Sequence, residues 1–304
     1  MIIKGSEEEK LLEAIENENV EEVKTILNNS TENKKILKLN EKNKYGSYPL
    51  LRATSKNNFE IVQLLIDYAN QHQIILELNE KNKNGYNPLL MAINNIEIVQ
   101  LLIDYSNQHQ IILELNEKDN IFGYYPLYKA TSHNNIEIVQ LLIDYANRHQ
   151  IILELNEKDE DGYYPLYWAI SKNIEIVQLL IKYANQHQII LELNEKNNFG
   201  YTPLLWAILE NNTEIVQLLI DYANQHQIIL ELNEKNNIGQ YPLLKAIDKN
   251  NIEIVKLLIE YANQHQIILK YDKKYDFFIA DKPKIKKLLQ NYEKEIKKRK
   301  KVNK

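Results

Sequence analysis

Apolar residues along this chain follow one pattern that returns at a fixed interval far longer than a helical turn. In its clearest copy Ile61, Leu65, Tyr68 and His72 share one helical face, while Glu60, Gln63, Asp67 and Gln71 lie opposite. That is the periodicity of an amphipathic α-helix. Ile74 would land on the polar face, so the helix is predicted to end between His72 and Leu78. The copy Asn79–Asn116 shows the rest of the unit. Asn79–Asn87 is polar and contains Asn84-Gly85, a turn pair whose residues both tolerate positive φ. Pro88 suits the first position of a helix, where its missing N–H costs nothing. A short helix over Pro88–Ile93 packs through Leu89 and Ala92. Asn94-x-x-Glu97 has the spacing of a capping box with Asn94 as the cap, and a second helix follows through Ile98–Ile103.

Glycine and proline mark the repeat. Gly46, Gly85, Gly123, Gly162, Gly200 and Gly239 each precede by three residues Pro49, Pro88, Pro126, Pro165, Pro203 and Pro242. Successive prolines recur about 39 residues apart, a period that points to stacked repeats. The distance from Glu60 to Asn79 is 19 residues, and it recurs in every unit, from Glu21–Asn40 to Glu253–Asp272. Insertions and deletions fall elsewhere. Packed helices resist length changes and surface loops accept them, so this constant module is the structural spine.

The run Gly-x-x-Pro-Leu-x-x-Ala, then Asn-x-Glu-Ile-Val-x-Leu-Leu-Ile and a closing Asn, resembles the ankyrin repeat over residues 40–272. The resemblance implies an all-α fold, an ankyrin-like α-solenoid of stacked helix-turn-helix repeats with turn or finger loops between units. Another helix-pair solenoid is the alternative. Where the family has Thr-Pro-Leu-His, this chain has Tyr48, Asn87, Tyr125, Tyr164, Thr202 and Tyr241 at the threonine position. Leu51, Leu90, Tyr128, Tyr167, Leu205 and Leu244 stand at the histidine position. The hydrogen bonding of that pair is expected to give way to apolar and aromatic packing. The period exceeds the family's usual one of about 33 residues. The glycine that usually ends the second helix is missing, and a Tyr-Ala-Asn-Gln-His-Gln extension is expected to lengthen that helix. Residues 1–39 are expected to form an N-terminal capping repeat, with Ser6 and Glu9 in a capping box and an apolar side of Leu11, Leu12, Ala14 and Ile15. Residues 40–272 are expected to form six repeats, and residues 273–304 a C-terminal cap helix and basic tail.

Composition narrows the function. The 304 residues carry a formal charge of −5, but residues 282–304 hold +9 and the rest −14. The run Lys297, Lys298, Arg299, Lys300, Lys301 resembles a nuclear import signal or an anion-binding patch; the bland alternative is a solubilising tail. With no cysteine, disulfides and thiolate chemistry are excluded. The start MIIKGSEEEK lacks the apolar stretch of a secretory signal, and the chain reads as cytoplasmic or nuclear.

Candidate chemistry is sparse. His72, His109, His149, His187, His226 and His265 occupy one repeat position. Neighbouring repeats set such residues about 8–10 Å apart, too far to share one zinc ion. They are expected to meet the last carbonyls of their own helices, and His133, in an inter-helix turn, to be solvated. No phosphate-binding loop, nucleophile elbow or metal motif occurs, so no catalytic residue, metal or cofactor is assigned and no small-molecule substrate is expected. What varies between repeats is the turn before each proline and the short first helix, which the resemblance places on the concave, partner-gripping side. There aromatics gather: Phe122, Tyr124, Tyr128, then Tyr163, Tyr167, Trp168, then Phe199, Tyr201, Trp206. Tyrosine and tryptophan suit binding hot spots because they bury large rigid area. Filling space left by the lost Thr and His is the competing role. Tyr125 and Tyr164 fit packing better; Trp168 and Trp206 fit binding better. The resulting expectation is a non-catalytic scaffold that binds another protein, with nucleic-acid or anionic-membrane binding through the tail as the alternative.

Overall fold

The computed structural model describes residues 6–271 and 279–302, and the side chains of these up to Arg299. Asp272, the expected closing residue of the sixth repeat, and parts of both terminal segments lie outside the described residues. Fifteen α-helices and no strand occur among the described residues. They fall into two compact bodies, residues 1–154 and residues 155–304.

In the first body, α1 (Glu7–Glu16) and α2 (Val20–Glu32) precede three short–long pairs. These are α3 (Pro49–Ser55) with α4 (Phe59–Gln71), α5 (Pro88–Ala92) with α6 (Ile96–His109), and α7 (Pro126–Ser132) with α8 (Ile136–His149). Short helices pack on short ones and long on long: α5 lies against α3 and α7, and α4 against α2 and α6. The second body repeats the plan with α9 (Pro165–Lys172) and α10 (Ile174–His187), α11 (Pro203–Leu209) and α12 (Thr213–Gln225), and α13 (Pro242–Asp248) and α14 (Ile252–Gln264). There a single helix, α15 (Pro283–Val302), packs on α14.

Each local rule can be checked at its residue. Proline opens every short helix of the six pairs. Ser6 and Glu9 form the reciprocal capping box of α1. Five long helices, α4, α6, α8, α12 and α14, are capped one residue later than their Asn-x-x-Glu spacing predicts. In α6 the cap is Asn95, not Asn94; its Oδ1 accepts from the amides of Glu97 and Ile98. Glu97 therefore sits at the second helical position and cannot close a box. Its counterpart Glu60 instead pairs with Lys24 at 2.8 Å.

The long helices stop at the first residue of the window set by the apolar pattern or one residue before it. Helix α4 ends at Gln71 with His72 as its cap. The next residue, where a glycine is usual, is a glutamine in the left-handed region. Gln73, Gln110, Gln150, Gln188, Gln227 and Gln266 all have φ of 56–58°. A left-handed non-glycine residue costs about 1–2 kcal/mol. The chain turns there because the following amide still bonds back into the helix, as Ile74 does to Ala69 O at 2.8 Å.

Beyond the glutamine the chain runs as an extended segment with its inner leucines buried, such as Leu76 and Leu78. Its backbone is held by the neighbouring repeats. Tyr105 Oη accepts from Leu76 N and donates to Ile74 O, both at 3.1 Å. Asn40 donates to Ile75 O at 2.7 Å and accepts from Glu77 N at 3.1 Å. The second body shows the same bonds from Tyr222, Tyr261 and Asn194.

Two turn glycines separate conformational strain from close approach. Gly200 and Gly239 have nearly equal φ, +78° and +81°. A Cβ on Gly200 would lie 2.9 Å from backbone atoms of Asn236 and Asn237, whereas one on Gly239 would meet nothing within 4 Å among the described residues. Both alanine variants should lose the about 1–2 kcal/mol of a left-handed non-glycine residue. Gly200→Ala should lose about 1–3 kcal/mol more through overpacking. Urea denaturation checks this; equal midpoint shifts would mean the turns do not touch.

Candidate functional site

In the second body, the turn before α9 carries Tyr163 and α9 itself carries Trp168; the turn before α11 carries Phe199 and Tyr201, and α11 carries Trp206. Tyr163 is the hub. Its ring centroid lies 5.4 Å from Trp168, 5.7 Å from Trp206 and 6.2 Å from Phe199. Tyr201 meets Trp206 edge-on at 5.3 Å. Trp206 Nε1 donates to Ser171 Oγ at 2.6 Å, which fixes the indole across two repeats. Tyr201 Oη reaches Gln240 Oε1 at 3.5 Å. Phe199 is exposed, and the other four are half-buried. Burial, then the carboxylates of Asp161 and Asp159, push the Tyr163 phenol above its ordinary value. The result is a rigid aromatic surface with an acidic edge.

The first body carries a smaller group. Phe122 stacks on Tyr124 at 5.2 Å, and Tyr124 on Tyr128 at 4.8 Å with planes 13° apart. Phe122 is exposed and Tyr124 half-buried.

Two of the aromatics expected on the contact surface are not there. Tyr128 and Tyr167 are each 1% exposed. Tyr167 Oη donates to Glu195 O at 2.8 Å and to Tyr201 O, so the ring is a strut holding the next turn. At the threonine position, Tyr48 likewise donates to Glu77 O and Glu80 O, both at 2.9 Å. Tyrosine thus supplies hydrogen bonds as well as packing, a correction to the expected replacement by apolar and aromatic packing alone. Asn87 and Thr202 at that position cap their helices directly, through Leu90 N and Leu205 N.

The tryptophan position holds cations in other repeats, and each is committed to a neighbour. Arg52 pairs with Glu16. Lys129 Nζ donates to Leu90 O at 3.1 Å, and burial lowers its ammonium below the ordinary value. Lys245 meets Asp248 at 2.9 Å.

The histidines also depart from expectation. His109 Nε2 bonds Asn70 Oδ1 at 2.9 Å and His149 bonds Asn107 at 3.0 Å; in the second body His226 bonds Asn185 and His265 bonds Asn224. Each ring leans on the tyrosine four residues before it, as His109 does on Tyr105 at 4.2 Å. These side chains join repeats and leave their own helix carbonyls to the backbone. His133 caps α7, its Nδ1 2.8 Å from Lys129 O.

The basic run is helical. Lys297, Lys298 and Arg299 lie exposed on α15, whose other side buries Ile285, Leu289 and Tyr292; Lys300 and Lys301 continue the helix, with side chains beyond those described.

A family profile described as ankyrin repeats (3 copies) matches this chain three times, over residues 11–112, 106–191 and 185–270. The chain belongs to the ankyrin-repeat family. A comparison with curated proteins finds no match. Ankyrin repeats generally mediate protein–protein interaction, and these repeats place their aromatics on the turns and first helices. Phe199, Ser171 and Gln240 complete the site. Phe199 was visible as a turn aromatic, whereas Ser171 and Gln240 carry no sequence signal because their partners lie 35 and 39 residues away.

Burial holds Tyr48, Tyr164 and Tyr167 far above the ordinary phenol value, with nearby carboxylates adding to it. Unfolded tyrosine titrates near about 10. A raised folded value means that stability is fully present below that pH and is lost as pH rises beyond it. Stability should therefore stay level through neutrality and fall above about pH 10. Phenolate absorbance should show a fraction of tyrosines ionising only with the loss of helical circular dichroism. Ionisation of every tyrosine before unfolding would contradict the buried struts.

Proposed function

We propose that this ankyrin-repeat protein is a non-catalytic scaffold that grips a partner protein on the turn and first-helix surface of its second body. Tyr163, Trp168, Phe199, Tyr201 and Trp206 are the anchors. The observation that carries this reading is their mutual packing: rings braced against one another and pinned by Ser171 lose little conformational entropy on binding. The carboxylates of Asp159 and Asp161 beside Tyr163 favour a partner with complementary positive charge. Phe122 and Tyr124 offer a second, smaller contact on the first body. Within this reading residues 1–39 and 273–304 act as end caps, giving the outermost repeats a polar face.

A charge-guided reading rests on the exposed Lys297, Lys298 and Arg299 of α15, which suit nucleic acid or an anionic membrane surface. No helix among the described residues is long and apolar enough to cross a membrane. Cytoplasmic or nuclear residence is part of the scaffold reading.

The two readings separate in a pull-down from lysate of the source organism with the intact chain, a Trp168→Ala/Trp206→Ala variant and a chain ending at Asp281. Helicity of each is verified by circular dichroism. Loss of a partner with the tryptophans alone, by tenfold or more in affinity, is the expected outcome. Loss with the tail alone, and binding that falls steeply with salt, would replace the scaffold reading with the charge-guided one.

A further inference from the structure

A second surface is independent of the aromatic site. In the first body the extended segment after each long helix turns one isoleucine outward: Ile36, Ile75, Ile112 and Ile152, each 50–55% exposed. Two residues on, the same outward side carries Lys38, Glu77, Glu114 and Glu154, all exposed, because side chains of an extended segment alternate. The inner positions, Leu76, Leu78, Leu113, Leu115 and their equivalents, are buried.

The rows are held in register by asparagines. Asn40, Asn79 and Asn116 each donate to the carbonyl of the next repeat's outward isoleucine at 2.7 Å. Each also accepts from the amide of its outward glutamate, at 3.1–3.2 Å. One isoleucine therefore stands above the next, with a parallel row of carboxylates beside them.

These carboxylates are unlike the other glutamates of the turns. Glu80 and Glu117 are neutralised by Lys42 and Lys81, both at 2.5 Å. Glu77, Glu114 and Glu154 make no ion pair among the described residues. Burial and the carboxylates of Glu117 and Glu80 hold the Glu114 carboxyl above its ordinary value, despite Lys81 nearby. A cation from outside would relieve that repulsion.

Geometry selects the form of the occupant. The backbone groups of this surface are largely occupied: Ile74 O and Leu76 N by Tyr105, Ile75 O and Glu77 N by Asn40, Glu77 O by Tyr48. An extended partner would lay its own amides and carbonyls against isoleucines with nothing to bond, at about 1–3 kcal/mol for each group buried unsatisfied. A helix satisfies its own backbone. Seven residues of helix advance about 10.5 Å and return to nearly the same face. Stacked helices of neighbouring repeats lie about 8–10 Å apart, so the two spacings nearly coincide.

We propose that the Ile75–Ile112–Ile152 row, with Glu77, Glu114 and Glu154, is a docking surface for a cationic amphipathic helix of another protein. The helix presents an apolar residue every seventh position and Lys or Arg along one flank. A similar row in the second body, Ile190, Ile229 and Ile268, has Glu192 and Glu231 beside its first two members but Lys270 beside its last. The longer acidic run makes the first body the site.

The test uses the full chain and a fluorescein-labelled three-heptad peptide with one leucine per heptad flanked by lysines, read by anisotropy. Ile75→Gln/Ile112→Gln/Ile152→Gln should weaken binding at least tenfold while helical content holds, since these side chains are exposed. Glu77→Lys/Glu114→Lys/Glu154→Lys keeps the apolar row; it should lose the lysine peptide and gain a glutamate-flanked one. Trp168→Ala/Trp206→Ala should leave binding unchanged, which distinguishes this surface from the aromatic one. The proposal fails if a proline placed mid-peptide has no effect, or if neither triple variant alters affinity. It also fails if binding is lost with Ile190→Gln/Ile229→Gln instead.

Discussion

The backbone between one repeat's long helix and the next turn has no partner of its own, and the whole architecture answers that need. The segment is extended, passes over buried leucines and forms no sheet, so its amides and carbonyls would be left unsatisfied inside the stack. Side chains from adjacent repeats supply the missing bonds. Tyr145 Oη accepts from Leu113 N at 3.0 Å; Asn79 clasps Ile112 O and Glu114 N of the same segment. Helix–helix burial provides most of the favourable free energy, but it does not specify register. The tyrosine and asparagine do, because each reaches two backbone groups at a fixed offset. This accounts for the unvarying distance from the start of each long helix to the closing asparagine. An insertion there would detach one clamp while leaving the other in place.

The same dependence explains why no repeat is self-sufficient. In the first body α4, α6 and α8 each give a tyrosine to the preceding segment, and Asn40, Asn79 and Asn116 each grip the following one. Histidine adds a third link, from one long helix to the asparagine of the previous one. At the C-terminal side of the second body, Tyr292 of α15 makes the tyrosine contacts to Leu269 N and Ile267 O that α14 would otherwise lack. A lone helix carrying one correctly placed tyrosine is enough to close the last segment.

Much of this was legible in the residues. The period, the proline at each short helix start, the burial of the apolar face and the packing role of Tyr125 and Tyr164 follow from local spacing. The misses share a cause. Whether Asn94 or Asn95 caps α6 depends on a one-residue phase that repeated asparagines leave ambiguous. A glutamine in the left-handed region contradicts propensity and persists because the flanking bonds impose it. Histidine bonded to asparagine, and Tyr167 bonded to Glu195 and Tyr201, are contacts across 28 or more residues. Periodicity shows that Tyr128 and Tyr167 belong to the short helices, but those helices are buried on more than one side. A partner-facing position and a strut facing the next repeat are one helical turn apart or less.

Variation among the repeats then has a physical reading. Positions whose side chains bond a neighbouring repeat stay nearly constant along the chain, as the tyrosine, histidine and closing asparagine do. The tryptophan position is free to change because each occupant finds a different local partner: Glu16 for Arg52, the Leu90 carbonyl for Lys129, Ser171 for Trp206. An outward isoleucine side chain is under neither constraint, since it makes no hydrogen bond and buries only half its surface. Its recurrence comes with that of the clamp around it, whose backbone groups carry the register. The repeats therefore present two unlike surfaces. One is diversified, aromatic and suited to choosing a partner by shape; the other is monotonous, with evenly spaced isoleucines and carboxylates. A monotonous surface recognises spacing and charge sign, and a helix with seven-residue periodicity supplies both.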